Sequence, residues 1–278
     1  MFTKKLLSPD ALVDYLSTDN WYALLDGVLI EDLPAKLAEA DIPYYCLFSA
    51  DLPYEYRRIA PYLVKLASTT GGFFNGVLDT VKEHRASFLR YHGDDESITE
   101  RFQNMAHAKL PGGRVGVLRF QDSRILNVLL NSLSPPQIPF IWPPGVEEYL
   151  LCVQEHTFHS WHAPDNAEIR EKAVTSPFIL SADQLEELSE DCHNRLLDQL
   201  VQKYKSSFDG SESEFLTVLD KAVDEGMECG FVYPQQICDY VDKVSKIGWL
   251  HGNMQCSFVA ILRQKDMNAS MKLSQIKS

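Results

Sequence analysis

An α/β lobe built on a mixed sheet with flanking helices, followed by an all-helical lobe, is the fold class this sequence predicts. Three observations carry it. Strand-like and helix-like stretches alternate through the first half, as in WYALLDG, EDLPAKLAEAD and YYCLF between residues 21 and 48. The stretch RVGVLRFQDSRILNVLL at 114–130 begins as a strand and ends as a helix. From Ser181 onward, apolar residues recur only at helical spacing.

Taken in order, PDALVDYLS at 9–17 reads as a short helix with Pro9 near its start. WYALLDG is a dense apolar run closed by Asp26-Gly27, hence a buried strand. The stretch 31–41 is helical, with acidic residues in its first turn. YYCLF at 44–48 makes a second strand, expected parallel to the first because a helix intervenes. PYLVKL at 61–66 is a third strand, 79–91 a helix, and the polar 92–100 a loop or helix cap. NMAHAKL at 104–110 and RVGVLRF at 114–120 flank Pro111-Gly112-Gly113, which predicts a hairpin.

In RVGVLRF both faces carry apolar groups, the pattern of a strand covered on both sides. Arg119 falls on the face of Val115 and Val117, so it needs a carboxylate: Asp26 or Asp122. Removing one partner of a buried ion pair costs about 3–5 kcal/mol. Such a pair either specifies the fold or forms a charged rim that receives a partner. Asp122 stands at the N-cap of a helix whose stripe is Leu126, Leu129, Leu130 and Leu133.

The proline-dense 134–149 reads as an irregular connector. Phe140, Ile141 and Trp142 within it either lie near a partner surface or plug the base of the sheet. EYLLCVQ and TFHSW look extended. Ser181 and Gln184 form a capping box, and further helices centre on 215–226, 237–244 and 258–262. The expected division is an α/β domain over 1–165, a linker over 166–180, a helical domain over 181–265 and a flexible tail over 266–278.

A net charge of −13 argues against a nucleic-acid or anionic-membrane surface. The six cysteines include no C-x-x-C pair, and no apolar run is long enough to cross a bilayer. MFTKKLLSPDAL lacks the apolar core of a secretory signal, so a cytoplasmic location is expected, with no cofactor. His156, His159 and His162 are the one metal-site candidate and would suit a metal-dependent hydrolase, but an extended segment sets His156 and His159 on opposite faces. There is no nucleophile elbow and no phosphate loop. The neighbouring carboxylates Asp94-Asp95 and Glu147-Glu148 read as solvated.

WYALLDG, PYLVKL and LRFQDSRIL at 118–126 together resemble the N-terminal domain of type VI secretion effector chaperones, the Tap/TEC adaptors. The resemblance covers roughly residues 20–150 and rests on Tyr22, Asp26, Gly27, Arg119, Phe120, Asp122 and Arg124. Gln121 stands where that family usually has Tyr, Ser123 where it has Pro, and Trp142-Pro143-Pro144-Gly145 replaces an aromatic-glycine-proline stretch. It implies a non-enzymatic adaptor that binds a secreted effector and loads it onto the VgrG spike. Arg124, one step into its helix, would then face outward with Phe140, Ile141 and Trp142 toward a partner.

Overall fold

The computed structural model describes residues 2–18, 20–66, 73–77, 86–154, 157–164, 177–208, 210–231, 233–246 and 267–275. Its first compact unit is Met1–Leu188 and its second Ser189–Ser278. The first unit holds β1 (Phe2–Leu6), α1 (Pro9–Leu16), β2 (Trp21–Asp26), α2 (Leu33–Glu39), β3 (Tyr44–Cys46), α3 (Tyr54–Arg57) and β4 (Pro61–Lys65). There follow β5 (Ser87–Tyr91), α4 (Asp95–Ala106), β6 (His107–Lys109), β7 (Val115–Val117), α5 (Ser123–Asn131), α6 (Ile138–Ile141), β8 (Val146–Gln154) and β9 (Thr157–His162).

Seven strands form one sheet in the order β1-β9-β8-β5-β2-β4-β3. Every pairing in it is antiparallel, so the sheet is not mixed. β2 and β3 do run in the same direction, as the intervening helix implies, but β4 is inserted between them and pairs with both. All six residues of β2 are buried, which requires cover on both faces. Fully burying a leucine such as Leu24 or Leu25 contributes about 1.5–3 kcal/mol.

Four sequence expectations need correcting. Residues 87–91 are the central strand β5, not the end of a helix; Phe88, Leu89 and Tyr91 are buried in the middle of the sheet. A strand covered on both sides shows no alternation, and its apolar residues can mimic helical spacing. Residues 78–85 lie outside the described residues. Second, α4 occupies most of the expected loop and the first three residues, 104–106, of the expected hairpin, whose arms β6 and β7 do pair across the Pro111-Gly112-Gly113 turn. Asp94 caps it by accepting from the Ser97 N–H at 2.7 Å, and Ile98, Phe102 and Met105 are its buried stripe.

Third, β7 is short and belongs to a separate ribbon with β6; Val115 and Val117 are exposed, so it is not a strand covered on both sides. Fourth, the proline-rich connector contains α6 and the start of β8. Pro139 sits in the first turn of α6, where no N–H is needed. Gly145 then turns the chain into β8 at φ +91°, and a Cβ there would lie 2.4 Å from the His92 carbonyl oxygen.

The helix α7 (Ala182–Tyr204) opens on the expected capping box: Gln184 N–H donates to Ser181 Oγ and Ser181 N–H to Gln184 Oε1, each at 3.1 Å. In the second unit the later turns of α7, α8 (Glu212–Glu228) and α9 (Pro234–Lys246) bury Leu196, Leu200, Phe215, Leu219, Tyr240 and Val241 in their own core. The expected helix at 258–262 and most of the expected linker, 166–176, lie outside the described residues. The expected flexible tail includes α10 (Ala269–Gln275), where Lys272 is buried and its ammonium donates to the Cys229 carbonyl. The apolar stem of Lys272 packs while its head finds a backbone acceptor.

Candidate functional site

The carboxylate of Asp26, at the end of β2, is buried and collects four donors. Its Oδ1 accepts from the Val28 N–H at 2.8 Å. Its Oδ2 accepts from Arg119 Nη2 at 2.6 Å, Arg119 Nε at 3.1 Å and Gln121 Nε2 at 2.7 Å. A buried carboxylate is tolerated when its lone pairs are filled this way. Arg119 is therefore paired as expected, with Asp26 as its partner. It is not largely buried, since its side chain is 42% exposed. The cause is local: residues 118–122 form an irregular bend after β7, so Arg119 reaches Asp26 from the rim.

Gly27 follows, and its N–H donates to the Ala60 carbonyl at 2.9 Å. A Cβ at Gly27 would lie 2.6 Å from the Arg58 oxygen and 2.7 Å from the Ala60 oxygen, so no side chain fits. Asp122 caps α5 as predicted, accepting from the Arg124 N–H at 3.0 Å. The Arg124 guanidinium turns back on the same carboxylate, Nε at 2.8 Å and Nη2 at 2.5 Å. Arg124 is partly exposed and held in a fork, rather than extended outward. Phe120 is buried against Phe102, with ring centroids 5.3 Å apart. Ser123 Oγ donates to the Cys152 carbonyl on β8 and Ser87 Oγ to the Gln121 carbonyl, tying this bend to the sheet.

Phe140, Ile141 and Trp142 are buried, with Phe140 edge-on to Phe178 and Trp142 edge-on to Tyr149. Of the two roles open to them, plugging the sheet matches their burial; a buried apolar side chain presents no surface to a partner.

Two carboxylates that read as solvated are hubs. Tyr22 donates to Asp95 Oδ1 at 2.5 Å and Tyr45 to Oδ2 at 2.8 Å, with the Lys65 ammonium 3.4 Å away. Burial by itself would raise the Asp95 pKa, but these hydrogen bonds and the Lys65 charge outweigh it and lower it. The hydrogen bond to Asp95 and burial push the Tyr45 phenol up to about 12. Glu148, buried in β8, accepts from Tyr15 at 2.8 Å, Lys5 at 2.9 Å and Ser160. Burial would raise its pKa, yet those donors and the Lys5 charge hold it below the usual carboxylate range. Beside it, Ala11, Asp14, Tyr15, Thr18, Trp21 and Arg90 line an open pocket of about 430 Å³. Through this one carboxylate the network ties β1, α1, β8 and β9 together.

His156 lies outside the described residues. His159 contacts Asn127 Oδ1 at 2.8 Å and His162 contacts Ser160 Oγ at 3.1 Å. The two belong to opposite faces of β9. Among the described residues no group of three His, Cys, Asp or Glu side chains is placed to hold a metal ion. No described helix is long and apolar enough to cross a membrane.

Residues 21–139 match the family model described as "Domain of unknown function (DUF4123)". No curated protein matches the chain. No solved structure matches it either.

Proposed function

We propose that this chain is a cytoplasmic adaptor that binds a type VI secretion effector and loads it onto the VgrG spike, with no catalysis of its own. One observation carries the reading: the three segments that resemble the effector chaperones converge on Asp26. WYALLD supplies the carboxylate, PYLVK lies beside it with Pro61 opposite Asp26, and LRFQDSRIL supplies Arg119 and Gln121. Segments about a hundred residues apart in sequence thus act as one structural unit, inside the matched stretch 21–139. At the departure Gln121 the amide N–H donates to Asp26, while its Oε1 is buried with no hydrogen-bond partner among the described residues.

The buried hubs tie separate strands and helices of the first unit to one another, which suits a carrier, because a preorganised surface loses less entropy on binding. The test is reconstitution. The purified chain is mixed with the effector and VgrG proteins of its own type VI cluster and resolved by size-exclusion chromatography. A complex with the effector is expected, and deletion of the chain should abolish effector delivery while spike assembly continues. Failure to co-elute with any effector, together with unchanged delivery in the deletion strain, would overturn the reading.

A further inference from the structure

We propose that the outer edge of β7 is the docking site for one extended segment of the carried effector, which adds to it as a further strand. The segment is apolar at alternate positions and acidic at its ends. The inference rests on the adaptor reading for the identity of the partner, and on the hairpin's hydrogen bonding for the site.

In an antiparallel pair, opposite residues alternate between exchanging hydrogen bonds and turning their N–H and C=O outward. Leu118 N–H donates to the Ala106 carbonyl at 2.9 Å and Leu110 N–H to Arg114 at 2.7 Å. With the register Ala108 opposite Gly116, the inward pairs are therefore 106/118, 108/116 and 110/114. The outward residues are His107 and Lys109 on β6, and Val115 and Val117 on β7. The far side of β6 bears this out: Lys109 N–H donates to the Phe178 carbonyl at 2.7 Å and its carbonyl accepts from Leu180 N–H at 2.9 Å. Thus β6 is already paired on both sides. On β7, the N–H and C=O of Val115 and Val117 point away, and among the described residues no strand meets them.

Edges of this kind are normally blunted by shortness, a charge, a proline or a bulge, and β7, with three residues, has the first of these. Here the edge is Val-Gly-Val, with Val115 63% and Val117 61% exposed. Across the ribbon from Val115 lies Lys109, bridged to Ile179, which is 54% exposed, so this face sets an exposed cation between apolar residues. Strand addition uses such a surface: backbone bonds supply affinity and alternate side chains supply choice.

Charge selects the occupant. The chain carries 39 acidic against 26 basic residues, yet residues 106–120 contain Lys109, Arg114 and Arg119 and no acid. Arg119 is spent on Asp26, while Lys109 and Arg114 are exposed and form no ion pair with a described residue. An acidic segment is complemented there. A second copy of this chain would set its own Lys109 and Arg114 against these, which like-charge repulsion opposes.

The decisive variant is Val117→Pro. It deletes an outward N–H and no bond to β6, a replacement edge strands tolerate. Val117→Thr keeps the N–H and the β-branch. Each full-length protein is titrated with the effector, and separately with a synthetic peptide of alternating valine and threonine between acidic ends. Val117→Pro should weaken both about tenfold or more, Val117→Thr should bind nearly as wild type, and added salt should weaken all. Hydrogen exchange on the wild-type chain should show the Val115 and Val117 amides slowed by either ligand, which reads the site without a variant. Equal effector affinity for wild type and Val117→Pro, or unslowed amides in the complex, would overturn the docking edge and leave the adaptor reading standing. A dimer of the chain alone that Val117→Pro abolishes would overturn it in favour of a second copy. If no effector binds but the peptide binds and slows both amides, the edge stands and the adaptor reading falls.

Discussion

Gln137 and Gln184 face each other through a reciprocal pair of buried amide hydrogen bonds, Nε2 of each donating to Oε1 of the other at 2.7 and 2.9 Å. Their second protons go to the Ile179 and Ser132 carbonyls, and the Ser134 and Ser181 N–H groups fill the remaining lone pairs. The pair therefore joins the connector after α5 to the start of α7 with nothing left unsatisfied. Gln184→Leu would strand the Gln137 amide and remove half of the capping box. An unsatisfied buried amide costs about 1–3 kcal/mol and a lost cap about 0.5–2 kcal/mol. Urea unfolding should show a loss of about 2–4 kcal/mol, and a cycle with Gln137→Leu should be strongly non-additive because the double variant strands neither amide.

The Asp26–Arg119 pair is asymmetric, with the carboxylate buried and the guanidinium half in water. Arg119→Met leaves Asp26 charged in the core with only Gln121 and the Val28 N–H as donors. Hydrogen bonds to charged groups contribute about 1.5–3 kcal/mol, and the exposure of Arg119 places the expected loss at the low end. Arg119→Lys should recover part of it, because an ammonium is a point donor that cannot reproduce the paired Nε and Nη2 contacts. Thermal melts of the three proteins check the order wild type, Lys, Met.

Features written in one short stretch are legible in the residues themselves. The run of β2, the Asp122 cap and the Ser181–Gln184 box depend on near neighbours, and all are present. The partner of Arg119 narrows to two carboxylates because an Arg among apolar residues needs one. What the sequence hides is longer in range or depends on parity. β5 carries no alternation because both its faces are covered. Glu148 reads as solvated when it is taken with Glu147 as part of a polar loop; inside β8 it shares a face with Leu150, and the bulge at Glu147 puts Val146 on the other face. Nothing local marks Gln137, whose partner is 47 positions away. Asp95 is likewise obscured by Asp94, which takes the capping role one residue earlier.

Trp142 separates packing from binding. It is buried edge-on to Tyr149, 4.9 Å between centroids, behind Pro143 and Pro144. Trp142→Ala should destabilise the first unit by about 3–5 kcal/mol, the usual cost of emptying a large aromatic site. Any loss of effector binding should track the unfolded fraction. Titration at a temperature where the variant remains folded checks this: an affinity within about twofold of wild type is expected, near the scatter allowed for a surface never touched.

Stability should fall on both sides of a broad plateau in pH, and the signs follow from the hubs. Asp95 and Glu148 have folded pKa values below their usual 3.8 and 4.5. Their contribution is complete above about pH 4.5 and disappears as pH falls through the lower folded values. Lys5 is raised above its usual 10.5, because its bonds to Tyr15 and Glu148 and the Glu148 charge outweigh burial, which alone would lower it. Tyr45 is pushed up to about 12 from 10.0. These contributions are complete below about pH 10 and are lost as pH rises through the folded values. Urea midpoints measured from about pH 3 to about pH 11 should therefore be flat between roughly 5 and 9. Glu148→Gln provides the internal check. It removes one depressed carboxylate, so the acid limb of its profile should be shallower than that of wild type, whatever its stability at neutral pH. An acid limb of unchanged slope would show that Glu148 is not a source of the pH dependence.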